Sequence, residues 1–175
     1  MVRLAAVSIG LMLALSACLL WPRASAATTN GTSAPDIAGE NWLNSKPLTI
    51  SGLKGRVVLV EFWTFGCVNC KNIIPHLRTW HDKYYQAGLT IVGVHSPEFP
   101  WEKPFDKMQE ATERLAIKFP VVQDNNFDIW QRYNIWAWPT IVLVDKKGVI
   151  RYSHIGEGAY GKTESTIKQL LSEQG

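Results

Sequence analysis

The sequence predicts an α/β fold in which a mixed central sheet is flanked by helices on both faces. Three short β-branched apolar runs carry that reading: Val57 to Phe62, Leu89 to Val94 and Ile141 to Val144. They lack the polar alternation of a half-exposed strand, so they suit strands covered on both sides. Between them, apolar residues recur at three- and four-residue steps, as amphipathic helices require. The resulting order is strand, helix, strand, helix, then a hairpin and a last helix, which is the order of helices packed on a mixed sheet.

The folded domain is expected over residues 36–175. Trp42-Leu43 and Leu48-Thr49-Ile50, split by Asn44 to Pro47, read as a small N-terminal hairpin. Lys54-Gly55 turns the chain into the first long strand. Ile73, Ile74, Leu77, Trp80, His81 and Tyr84 share one helical face, and Gly88 follows in a C-cap position. After Leu89 to Val94 comes a helix/strand insertion. Its helix carries Phe105, Met108, Ala111, Thr112 and Leu115 and ends by Phe119-Pro120; its strand is Val121-Val122. Phe127 to Tyr133 forms a short helix. Asp145-Lys146-Lys147-Gly148 is a turn that returns Val149 to Ile155 antiparallel to Ile141 to Val144. Ile167, Leu170 and Leu171 mark the closing helix.

Residues 1–26 are excluded from the fold. Arg3 precedes Leu4 to Leu20, an apolar stretch without charge, and this is the build of a secretory signal. Two exits stand open. Ala24-Ser25-Ala26 is a small-x-small site that places cleavage before Ala27, whereas Leu15-Ser16-Ala17-Cys18 resembles a lipoprotein box in which Cys18 is lipidated. Retention as an uncleaved anchor is a third outcome, because 17 residues lie at the lower limit of a membrane span. Residues 27–35, rich in Thr, Asn, Gly and Ser, form a flexible tether. Each exit places the domain outside the cytoplasm, in the periplasm or cell envelope. The net charge of +3 falls to +1 without Arg3 and Arg23, so no nucleic-acid partner is expected.

Beyond the leader there are two cysteines, Cys67 and Cys70, three positions apart. A staple closing so short a loop stabilises little, so the pair reads as reactive in an oxidising compartment. A buried strand ends just before Cys67 and a helix starts there. The unpaired N–H groups and positive dipole end of that first turn stabilise a thiolate at Cys67. Cys67 is then the nucleophile, and Cys70, one turn later, resolves the mixed disulfide. Lys71 stands where c-type haem attachment needs His, and the four histidines do not pair with the cysteines at zinc spacing. No metal and no cofactor are expected.

Glu61 is the lone charge in Val57 to Trp63. Buried without a partner, its carboxyl would favour the neutral form and could take the proton Cys70 must lose. The alternative is a strand-end Glu61 pointing to solvent. Trp138-Pro139-Thr140 opens the third apolar strand with a proline.

These residues carry a resemblance. Val60-Glu61-Phe62-Trp63, Cys67-x-x-Cys70-Lys71 and Pro75 resemble the thioredoxin active-site segment, and Trp138-Pro139-Thr140 resembles that family's cis-proline turn. The leader, the early hairpin and the insertion from about Ser96 to Gln123 are similar to exported redoxins of the TlpA/ResA type. Phe62 to Cys70 and Gly93-Val94-His95-Ser96-Pro97-Glu98-Phe99 resemble the C-terminal thioredoxin-like domain of DipZ proteins. Asp124-Asn125-Asn126 and Gly156-Glu157-Gly158 continue that likeness.

The resemblance implies a thioredoxin-like fold and a thiol–disulfide oxidoreductase acting on protein thiols and disulfides. It implies that Cys67 attacks, Cys70 resolves, Glu61 assists, Pro139 is cis and the Trp138–Pro139 backbone receives an extended substrate. It also favours the reducing direction, with a membrane electron donor as redox partner. A monomer is expected. Two departures stand out: Gly66 replaces the aromatic residue that precedes the first cysteine of thioredoxins, and Val68-Asn69 replaces Gly-Pro. Phe65, Trp63 and Trp138 are the candidates to supply a flat apolar substrate surface instead, with core packing as the alternative for Trp63 and Phe65. Two rival functions remain. One is a thiol peroxidase of peroxiredoxin type, for which Thr64-x-x-Cys67 fits but Val60 stands where that signature needs proline. The other is a copper-binding module using Cys67, Cys70 and His95.

Overall fold

The computed structural model describes residues 30–174. The expected leader, Cys18, the Ala27 cleavage site and the start of the tether lie outside the described residues. In chain order the elements begin β1 (Trp42–Leu43), β2 (Val57–Trp63), α1 (Val68–Tyr84), β3 (Leu89–His95) and α2 (Phe105–Arg114). They continue β4 (Val121–Gln123), α3 (Asp128–Arg132), β5 (Thr140–Val144), β6 (Ile150–Ile155) and α4 (Tyr160–Ser172).

The strands form one six-stranded sheet in the order β1-β4-β3-β2-β5-β6. β2, β3 and β4 run parallel, while β1, β5 and β6 pair antiparallel with their neighbours. Every residue of β2, β3 and β5 is buried, as expected of apolar runs without alternation. Side chains alternate across a strand, so β2 divides the core between the two faces. Leu59 and Trp63 pack with Ile73, Leu77 and Trp80 of α1, with Met108 of α2 and with Ile167 of α4. Val58, Val60 and Phe62 pack on the other face with Ile129 and Tyr133. Each such side chain contributes roughly 1.5–3 kcal/mol on full burial.

Register gathers the loops that matter. Trp63, His95 and Gln123 lie opposite one another at the C-terminal ends of the parallel strands. Antiparallel β5 starts at the same edge, with Thr140 opposite Phe62. The loops after β2, β3 and β4 and the segment before β5 therefore meet along one rim of the sheet.

Two expectations are corrected. The early hairpin does not form. Trp42 and Leu43 pair with Val122 and Val121, and Ile50 leads into a 3-10 turn at Ser51–Leu53. Asn44 causes the divergence: it takes a positive φ of 63°, and its side-chain amide donates to the Ile117 and Phe119 carbonyls. That ties the end of β1 to the approach to β4. The segment up to Pro35 is also pinned in part rather than free along its length. The Gly31 and Ala34 N–H groups donate to Ile150 and Gly148, and Ser33 bridges Val149. Among the described residues no helix is long and apolar enough to cross a membrane.

Candidate active site

Cys67 is the N-cap of α1. Its backbone is extended (φ −73°, ψ 123°), and its sulfur accepts a hydrogen bond from the Cys70 N–H at 3.3 Å. A cap normally offers oxygen to the unpaired N–H groups of a first helical turn. Here sulfur takes that place, so the helix end and the thiol stabilise each other. Cys67 is half-buried and reachable, while Cys70 is fully buried, and neither is in a disulfide. Burial pushes the Cys70 thiol far up; its hydrogen bond to Cys67 and the charge of Glu61 push the same way, and a backbone hydrogen bond from Thr64 opposes them.

Glu61 lies on the same face of β2 as Leu59 and Trp63, the face covered by α1. It is 1% exposed, and neither carboxylate oxygen has a hydrogen-bond partner. The solvent-pointing alternative is thereby excluded. With no donor to offset desolvation, burial holds its carboxyl well above the usual carboxylate range.

A second buried carboxylate escaped the sequence reading. Glu102 is the last residue of a 3-10 turn at Pro100–Glu102 and has no exposed surface. Its Oε1 accepts from the Gly66 N–H at 2.7 Å and the Thr64 hydroxyl at 2.5 Å. Its Oε2 accepts from the Glu98 and Phe99 N–H groups at 2.7 and 2.8 Å. Glu102 thus clamps the loop before Cys67 to the loop after β3. The only local signal was a glutamate beside Trp101 after a proline, and three of its four donors are backbone groups, which sequence does not reveal. His95 lies behind the clamp, fully buried, with Nε2 3.5 Å from the Thr64 hydroxyl. Burial lowers its pKa to about 4, against the opposing charge of Glu102.

Trp138-Pro139 is cis. Trp138 is half-buried, its indole N–H donating to the Ser96 carbonyl at 3.0 Å and its ring lying 4.4 Å from that of Trp130. Ser96 in turn donates to Asp124, which caps α3 through the Ile129 and Trp130 N–H groups. Phe65 requires correction as a substrate-surface residue: it is 8% exposed, stacked on His95 and tilted against Trp101. Trp63 is wholly buried, its indole lying across Gly93, where a Cβ would come within 2.9 Å of Nε1. Among the described residues, no three His, Cys, Asp or Glu side chains converge as a metal site.

Six strands in this order, with helices on both faces and two cysteines where the first crossover helix begins, make a thioredoxin-like fold. Within that class the chain belongs to the AhpC/TSA family, whose profile it matches over residues 30–153. It is similar to the protein DipZ of Mycobacterium tuberculosis, 39% identical over 145 residues, 81% of this chain and 21% of DipZ. The chain therefore spans about a fifth of that relative's length. Over 129 residues it is 26% identical to thiol-disulfide oxidoreductase ResA of Halalkalibacterium halodurans, covering 74% of this chain and 68% of ResA. The crystal structure of a thiol-disulfide isomerase from Corynebacterium glutamicum superposes with a TM-score of 0.70 at 26% identity, covering 81% of this chain and 98% of the other.

Proposed function

We propose that this chain is an extracytoplasmic thiol–disulfide oxidoreductase that reduces protein disulfides through Cys67 and Cys70. One observation carries the reading: a reachable sulfur caps α1 while a buried second thiol, one turn on, sits in the field of an unpartnered carboxylate. The Cys67 thiolate attacks a substrate disulfide, forming a mixed disulfide and releasing one substrate thiolate. Cys70 loses its proton to Glu61, directly or over one water. Its sulfur then attacks Cys67, forming the Cys67–Cys70 bond and releasing the second substrate thiolate. Substrate gains two electrons and the dithiol loses them, so the step itself uses no cofactor. A membrane electron donor restores the dithiol. The charge-free apolar run from Leu4 to Leu20 behind Arg3 supports the extracytoplasmic site, and a tether or lipid at Cys18 would keep the domain near such a donor.

Trapping tests the roles. Cys70→Ser should accumulate substrates as covalent adducts on Cys67, released by reductant; adducts on Cys67→Ser instead would invert the assignment. The equilibrium potential against glutathione tests direction. A value near about −270 mV supports reduction, and one near about −120 mV supports oxidation. The peroxidase reading has weaker support: the Thr64 hydroxyl is committed to Glu102, and Val60 replaces the signature proline. The copper reading loses His95, which is enclosed by Trp63 and Phe65.

A further inference from the structure

Residue 66, next to the attacking sulfur, has no side chain, and the space one would occupy is filled from elsewhere. A Cβ on Gly66 would lie 3.0 Å from Cη2 of Trp101 and 2.5 Å from Oε1 of Glu102. The indole of Trp101 therefore covers the backbone beside Cys67. It is a large apolar surface left open to solvent, at 56% exposure, and Phe99 stacks parallel to it at 5.7 Å. Phe65 supports the indole from below at 5.5 Å and rests in turn on His95. Exposed aromatics on a loose loop would mean little. These are held by Glu102, whose four hydrogen bonds fix both the turn that carries Trp101 and the loop that carries Gly66. Val68, inside the cysteine motif, adds a further exposed apolar side chain.

A polypeptide joined to Cys67 by a disulfide has its neighbouring residues within a few ångströms of Gly66. It must then lie against whatever covers Gly66. We propose that the indole of Trp101 is the surface on which the substrate segment flanking the attacked cysteine packs, so that the enzyme prefers a cysteine with an apolar neighbour. This rests on the thiol-exchange reading above. Glu102 acts as a positioning residue that holds the indole in place, and Trp101 is the residue that discriminates.

The test uses two disulfide-linked peptides identical except for leucine or serine beside the cysteine, mixed with pre-reduced protein in single-turnover experiments. The wild type should reduce the leucine peptide about tenfold faster, equivalent to about 1.4 kcal/mol. Trp101→Ala should bring that ratio to about 1–2, and Trp101→Phe, which keeps an aromatic face, should restore most of it. A ratio unchanged in Trp101→Ala, no preference in the wild type, or an equal slowing of both peptides would overturn the proposal while leaving thiol exchange intact. Failure of the wild type to reduce either peptide would overturn the exchange reading, and this inference with it.

Discussion

Replacing Glu61 by glutamine removes a charge and little volume from a site that is 1% exposed and offers no hydrogen bond. An unfolded glutamate ionises near ~4.3, whereas burial holds the folded one well above that. Between those two points the folded protein keeps one proton more than the unfolded chain. Stability associated with Glu61 is therefore fully present below the unfolded value and falls as pH rises toward the folded one, by about 1.4 kcal/mol per pH unit. At low pH the neutral acid and the amide are nearly isosteric and both unpaired, so wild type and Glu61→Gln start about equal. Within the window the variant gains about 1.4 kcal/mol on the wild type for each unit. Urea unfolding of the reduced proteins from pH 4 to 8 measures the difference. Parallel stability curves would mean that Glu61 ionises normally and would refute the argument. The same variant should slow disulfide exchange near neutral pH, since Glu61 is the proton acceptor proposed for Cys70; an unchanged pH–rate profile removes Glu61 from the mechanism.

His95 predicts an opposite slope. Its folded pKa lies at about 4, below the ordinary ~6.5, so the unfolded chain holds the extra proton across that interval. Stability then is lost as pH falls through it, by about 3 kcal/mol in total. Relative to the wild type, His95→Gln should gain about that amount as pH falls across the interval, and parallel curves would refute it. Because the Glu61 and His95 slopes oppose, the wild-type profile should be shallow where the windows overlap, and each variant should unmask the other group. Gly66→Ala sets a methyl 2.5 Å from Glu102 Oε1 and should cost about 1–3 kcal/mol, through overpacking or a broken hydrogen bond. A loss under about 0.5 kcal/mol in urea unfolding would show that the clamp yields freely.

The parts readable from sequence were those whose environment is written locally. β2, β3 and β5 are buried on both faces, so their composition alone announces them. Glu61 was visible as a charge inside such a run, and the cysteine motif drew its meaning from the strand before it and the helix after it. What was hidden depends on distant chain. Trp42 and Leu43 have their partners at Val122 and Val121, far along the sequence, and an adjacent apolar segment made a hairpin look sufficient. Phe65 looked available beside the motif until His95 and Trp101 enclosed it. Glu102 was hidden most completely, because which loop folds onto which is not encoded in the residues that flank it.

Two of the buried carboxylates show why burial alone does not assign chemistry. Glu61 and Glu102 are both within 1% of complete burial. All four donors around Glu102 point at its oxygens, and its charge is felt at His95, where it works against desolvation. Those four bonds hold two loops together, and each hydrogen bond to a charged group contributes about 1.5–3 kcal/mol. Glu61 has no such bonds to lose. Its ionised form is uncompensated, so taking up a proton relieves a desolvation penalty instead of breaking a clamp. The same residue type therefore serves opposite ends at one rim of the sheet. The saturated carboxylate holds position, and the starved one is the group proposed to accept the Cys70 proton.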